Sequence, residues 1–292
     1  MLRGLLGLLL LASVSAAPLI TAPGAVPLDP ISLLDVSPVP VKQTEAVAPA
    51  LQAKAALVMD ADSGIVLFEK NSRTSLPIAS LTKIMTAVVI LESHDLDEVV
   101  TVTNNHADVP GVQIGFFKNE KLTVQSLLTA LLVRSGGDAA LILADYHSGS
   151  EPAFVEAMNQ KARMLNLRQT QFKNSVGLDA EGHYSTAYDL AMLTKHAMRD
   201  PAFRAIVRQP EAEISSVDGQ FHHVFKNTNQ LLGSYLNVIG VKTGTTDAAG
   251  ESIINWAVGP QGQQLIAMVL GSPNRFQENK SLMDWSFRNY FW

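Results

Sequence analysis

The order of its predicted elements places this chain in the α+β class: an antiparallel sheet of about five strands with flanking helices and a helical subdomain. Strand-like runs lie at both ends of the core-forming region, and the block between them repeats its apolar residues at helical spacing. Short Gly-containing connections join neighbouring strands, which makes those neighbours antiparallel.

Ala56–Met59 and Ile65–Phe68 are strand-like runs flanking Asp62-Ser63-Gly64, a predicted hairpin with a Gly-containing turn. A helix is predicted over Ser80–Ser93, where Ile84, Ala87, Val88 and Leu91 recur on one side. A second covers Leu122–Val133, with Leu127, Leu128, Leu131 and Leu132 on its buried face. Ala139–Tyr146, Pro152–Leu165 and Thr186–Met198 also read as helices. Then the period changes. Leu236–Val241, Ser252–Val258 and Gln264–Leu270 are strand-like, the last two joined by Gly259-Pro260-Gln261-Gly262. A closing helix is predicted from Arg275 to Tyr290, carrying Phe276, Leu282, Trp285 and Phe287.

Composition narrows the function. With 47% hydrophobic and 17% charged residues among 292, the chain can bury a sizeable core. Its net charge of −5 and the lack of any basic block leave no electrostatic footprint for a nucleic-acid partner. Cysteine is absent, which excludes disulfide scaffolds, thiolate zinc sites, Cys nucleophiles and a lipidated N-terminal Cys.

Met1-Leu2-Arg3, the apolar Leu5–Leu11 and small residues from Ser13 to Ala17 have the layout of a secretory signal over residues 1–17, or of an uncleaved anchor. Pro18, Pro23 and Pro27 break the apolar stretch short of the ~20 residues a spanning helix needs. Export is expected, to the periplasm or the outer face of the cytoplasmic membrane, with any membrane contact confined to the N-terminal segment. Seven of the 14 prolines fall between Pro18 and Pro49, and no aromatic residue precedes Phe68. Residues 18–53 are therefore expected to be a disordered linker, and 54–292 a single catalytic-sized domain.

Three short segments carry chemistry. Ser80 and Lys83, three apart on a predicted helix, face the same side. A serine hydroxyl becomes a nucleophile when a base takes its proton, and a lysine with a depressed pKa can be that base. The spacing alone is weak: about one chance match is expected at average composition. Lys242-Thr243-Gly244 follows a strand, where a lysine and a hydroxyl can hold a carboxylate and a glycine lets a ligand approach. Ser135-Gly136-Gly137 follows a helix, and a serine there can relay a proton. Each has a bland reading as a helix cap, strand end or helix terminator.

In order, Ser-x-x-Lys, Ser-x-x and Lys-Thr-Gly form the three-motif signature of penicillin-recognising serine enzymes. The stretches Ile78–Thr86, Leu132–Ala140 and Val241–Gly250 resemble the serine-type D-Ala-D-Ala carboxypeptidases, the low-molecular-mass penicillin-binding proteins. The likeness runs from about Lys54 to Trp292 and implies a DD-peptidase/β-lactamase-like fold. By that resemblance Ser80 is the nucleophile, Lys83 its general base and Ser135 the proton relay. Lys242, Thr243, Gly244 and Thr245 bind substrate, the backbone N–H groups of Ser80 and Thr245 forming the oxyanion hole. The implied partners are peptidoglycan stem peptides, with β-lactams as inhibitors and no cofactor or metal. One position departs: the family's second motif ends in Asn, and here that substrate-binding position is Gly137.

Rival classes fit less well. The seven histidines are scattered, against a zinc peptidase; His222 and His223 are adjacent and are expected at the surface. A class A β-lactamase would need a deacylating Glu, and no Glu precedes Leu165-Asn166 in the required pattern. Removal of a terminal D-Ala is the leading reading. The alternatives are a DD-endopeptidase, to which Phe225–Asn229 and the lack of a C-terminal β-domain point, and a catalytically weakened peptidoglycan-binding module.

Overall fold

The structure is a computed structural model, and it describes residues 39–43, 45, 47–103 and 109–292. The leader over 1–17 and the linker as far as residue 38 lie outside the described residues. The linker expected as far as residue 53 overlaps folded structure. Strand β1 (Val41–Lys42) pairs with a strand at the far end of the chain, and Gln52 N–H and Ala53 N–H both donate to the Glu278 carboxylate. Proline-rich composition sets the cost of ordering this stretch, and long-range partners offset it.

Strands β2 (Ala55–Asp60) and β3 (Val66–Lys70) form the predicted hairpin. The Asp60 carboxylate accepts from Ser63 N–H at 2.7 Å, and Gly64 supplies the positive φ of +77° that the turn requires. The helix predicted from Ser80 begins as a 3-10 turn (Ala79–Thr82) and becomes α1 (Lys83–Leu91). Strands β4 (Val99–Thr101) and β5 (Lys121–Thr123) pair antiparallel. The helix predicted from Leu122 therefore starts late: Thr123 Oγ1 accepts from Ser126 N–H at 3.1 Å and caps α2 (Val124–Thr129), which runs into a π turn (Ala130–Arg134). Helices α3 (Gly137–Ser148), α4 (Glu151–Met164) and α5 (Ala187–Ala197) follow close to their expected bounds.

A helix, α6 (Pro201–Val207), and a hairpin of β6 (Glu211–Ser215) and β7 (His222–Lys226) come next, where the sequence predicts nothing. Alternation on β7 turns His222 outward, while His223 turns inward to bond the buried Glu120 carboxylate at 2.7 Å. His223 is thus not the surface residue expected. The chain closes with β8 (Val238–Thr246), β9 (Gly250–Val258), β10 (Gln264–Ser272), α7 (Arg275–Asn289) and β11 (Tyr290–Phe291), which pairs with β1. No helix among the described residues is long and apolar enough to cross a membrane.

The main sheet has five strands in the order β3-β2-β10-β9-β8, every neighbouring pair antiparallel. Alternation separates two cores. Leu57 and Met59 of β2 and Ile266 and Met268 of β10 face the larger core, which holds α1 to α5. Val58, Leu265 and Val269 face the other, which is closed by Leu282 and Met283 of α7. Strands buried on both faces read as nearly continuous apolar runs, as β2 and β10 do.

A chain of three buried amides links the segment before β8, strand β9 and α7. Asn229 Nδ2 donates to Asn255 Oδ1 at 2.7 Å, Asn255 Nδ2 to Asn279 Oδ1 at 2.7 Å, and Asn279 Nδ2 to Ala267 O at 2.9 Å. Replacing Asn255 with Leu leaves Asn229 Nδ2 and Asn279 Oδ1 unpaired in a dry interior, at about 1–3 kcal/mol for each group. Urea unfolding of N255L should show a clearly lower midpoint, and an unchanged midpoint would mean the amide chain adds nothing to stability.

Candidate active site

The 3-10 turn brings Ser80 and Lys83 together. With three residues per turn, positions i and i+3 eclipse, and Lys83 Nζ lies 3.0 Å from Ser80 Oγ. Ala79, just before the serine, adopts φ +49°, a left-handed conformation that costs a non-glycine residue about 1–3 kcal/mol. Ser135 ends the π turn in the same region of backbone space, at φ +71°. Ser80, Lys83 and Ser135 line a cleft of about 670 Å³ together with Thr243, Gly244 and Thr245 of β8.

Lys242 and Gly137 stand outside the cleft lining. Lys242 is 1% exposed and lies behind the wall, its Nζ donating to Thr243 O at 3.0 Å. Gly137 is the first residue of α3, and its N–H donates to Val112 O at 2.7 Å. A β-carbon there would lie 3.1 Å from Val109 Cγ1 and 3.3 Å from Val176 Cγ1, so a longer residue would need these valine side chains to give by a few tenths of an ångström. Gly244 also has a role different from the one expected. A β-carbon on it would sit 2.9 Å from Ser80 N, so the glycine lets β8 close onto the backbone of the serine itself rather than only onto a ligand.

Burial governs the electrostatics. It pushes the Lys83 ammonium down to about 7, against the Asp138 carboxylate, which raises it. Lys242 is held well below its ordinary value by burial, then by the like charges of Lys83 and Arg275. Desolvation lowers Arg275 as well, with Glu251 opposing. Among the described residues, no group of three or more His, Asp or Glu side chains could hold a metal ion.

Other residues line the cleft that the sequence does not single out. Arg275, expected only as the start of the closing helix, donates to Gly244 O at 3.0 Å and to Thr245 Oγ1. Thr228 accepts from Thr243 Oγ1 at 2.7 Å. It lies inside the Phe225–Asn229 stretch, so the signal was present without an assigned role. Val176 closes the floor, its carbonyl accepting from Lys83 Nζ at 2.6 Å.

Known proteins resemble this chain in sequence and fold. The model of the peptidase S11 family, D-alanyl-D-alanine carboxypeptidase, matches residues 42–274. The D-alanyl-D-alanine carboxypeptidase DacF of Bacillus subtilis (strain 168) is 36% identical over 248 residues, 82% of this chain and 63% of its own length. DacC of Escherichia coli (strain K12) is 39% identical over 259 residues, 82% of this chain and 62% of its own. The chain thus spans less than two thirds of the length of these curated relatives. Among solved structures, the Streptomyces K15 DD-transpeptidase superposes with a TM-score of 0.78 at 31% identity, covering 83% of this chain and 99% of that one. Penicillin binding protein 6B of Escherichia coli gives 0.75 at 32% identity, covering 84% and 80%. A serine and a buried lysine in contact, a Lys-Thr-Gly strand beside them and a family match over most of the chain lead to one assignment: this chain belongs to the S11 family of D-alanyl-D-alanine carboxypeptidases.

Proposed function

We propose that this protein is a serine DD-peptidase that removes the terminal D-Ala from peptidoglycan stem peptides through an acyl-enzyme on Ser80. The observation that carries the proposal is the contact of Ser80 Oγ with Lys83 Nζ at 3.0 Å, in a cleft that Arg275 also lines. A lysine near 7 is substantially neutral at physiological pH and can accept a proton.

Ser80 Oγ attacks the carbonyl carbon between the two D-alanines as its proton passes to Lys83 Nζ. The oxyanion forms against the Ser80 and Thr245 N–H groups, each such donor being worth ~2.7–4 kcal/mol of barrier. The C–N bond then breaks, and the departing amine takes up a proton by way of Ser135. Water, deprotonated by Lys83, attacks the acyl carbonyl and releases the shortened peptide with Ser80 restored. Thr243 and Arg275, which line the cleft, bind the terminal carboxylate, with Lys242 buried behind Thr243. Lys242 also disfavours a charged Lys83. Penicillins enter by the same first step. Peptidoglycan lies outside the cytoplasmic membrane, so this role requires export, in keeping with the leader pattern over residues 1–17.

Three outcomes are expected. Incubation with a penicillin should add its mass to the intact wild-type chain and not to Ser80→Ala; no adduct at saturating penicillin would leave the binding-module reading standing. The acylation rate should rise with pH to a plateau with a midpoint near 7. Below it the neutral fraction of Lys83, whose pKa is lowered, falls about tenfold per pH unit. Arg275→Ala should raise KM for a D-Ala-D-Ala peptide by roughly ten- to a hundredfold, as a charged hydrogen bond of about 1.5–3 kcal/mol is removed. Steady-state release of D-Ala measures this, and an unchanged KM would exclude a contact with the carboxylate. A cross-linked dimeric peptide as competing substrate separates carboxypeptidase from endopeptidase action.

A further inference from the structure

Gly137 offers Lys83 no side chain, and the lysine amine takes its acceptor from elsewhere. Lys83 Nζ donates to the Val176 carbonyl at 2.6 Å, across 93 residues of sequence. Val176 lies in a segment without helix or strand, so something other than a backbone ladder must aim that carbonyl. The Asn174 side chain reaches around Val176. Its Oδ1 accepts from Gly177 N–H at 2.6 Å and Leu178 N–H at 3.0 Å, and its Nδ2 donates to Leu178 O at 3.0 Å. These bonds close a turn of the kind asparagine side chains form with nearby backbone.

The turn is pressed onto the nucleophile. Gly177 adopts φ +91°, and a β-carbon on it would lie 2.1 Å from Ala79 O and 2.9 Å from Ser80 N. Other contacts fix the flanks only. Ser175 N–H and Oγ–H donate to the Glu151 carboxylate, Thr86 Oγ1–H to Ser175 O, and Thr246 Oγ1–H and Ala248 N–H to the Asp179 carboxylate.

We infer that Asn174 is a positioning residue for the reaction, aiming the Lys83 amine at Ser80 through the Val176 carbonyl. The inference rests on the acyl-enzyme reading of Ser80 and Lys83. A neutral amine has two N–H bonds and one lone pair; with one N–H tied to a fixed carbonyl, the lone pair can point at the serine proton. A free turn lets the long side chain sample other rotamers, and the effective concentration of the base falls. The charged groups facing Lys83 are Asp138, at the start of α3, and Lys242 on β8. On the segment itself, Asp179 is tied to Thr246 and Ala248, and His183, bonded to Thr82 Oγ1, is kept neutral by burial.

Two causes of lost activity differ in sign. A carbonyl accepting from Lys83 favours the ammonium, so losing it moves the acid limb of the rate profile to lower pH. Loosening the fold instead hydrates Lys83, and its limb moves to higher pH.

The test is stopped-flow acylation of the full chain by a fluorescent penicillin between about pH 5.5 and 9.5, alongside thermal unfolding. Asn174→Ala should lower the plateau at least about tenfold and shift the limb to lower pH. Asn174→Asp keeps both N–H acceptor bonds and should hold the plateau within about threefold of wild type, with its limb no lower. Asn159→Ala removes the side-chain bonds to Phe172 N–H and O at the segment's start and should lower Tm with plateau and limb unchanged. The inference fails if N174A keeps plateau and limb, if its limb moves to higher pH, or if N159A reproduces both changes. Should N174A not fold, loss of the plateau in a folded N174D overturns it. No adduct on the wild type would overturn the acyl-enzyme reading itself, and this inference with it.

Discussion

Two lysine side chains lie 1% exposed at the seam between the sheet edge and the helical layer, and the site is organised around keeping them dry. An ammonium taken out of water is costly unless it is paired, or unless it gives up its proton. For Lys83 desolvation is the larger effect and the Asp138 carboxylate the smaller, so the net shift is downward and the amine gives up its proton more readily. For Lys242 the neighbouring cations act in the same direction as burial, so all three disfavour its ammonium form.

Dryness requires close approach, and close approach explains where glycine sits. Gly244 lets β8 touch the Ser80 amide, and Gly177 lets the floor of the cleft touch the Ala79 carbonyl. The turn that carries Ser80 is thus held from both sides by backbone, in a conformation strained at Ala79. Such strain persists only where the surroundings over-determine it. At Gly137 a β-carbon would press on the Val109 and Val176 side chains, and it is a carbonyl from the floor that meets the lysine.

Support for the cleft extends to the opposite face of the sheet. The amide chain from Asn279 on α7 through Asn255 on β9 ends at Asn229, next to Thr228, whose hydroxyl accepts from Thr243. A buried polar network is stabilising only when every member is satisfied, and each of these three amides has its partners. Helix α7 thereby serves the site twice, by anchoring this chain and by carrying Arg275 at its first position.

Local information was enough for much of this. The β2–β3 hairpin, the change of period after α5 and the approach of Ser80 to Lys83 depend on residues a few positions apart, so spacing and turn chemistry determined them. The order of the three motifs was legible for the same reason. The sequence could not show that Leu122 begins in a strand, that His223 turns inward to Glu120, or that residues before 54 join the fold through β11. Nor could it reveal Arg275 or the Val176 carbonyl as part of the cleft. Each depends on a partner many residues away: 103 positions separate His223 from Glu120 and 93 separate Lys83 from Val176. A pattern of side chains encodes which face is apolar, but which distant backbone group meets a buried amine is decided only when the layers pack and exclude water.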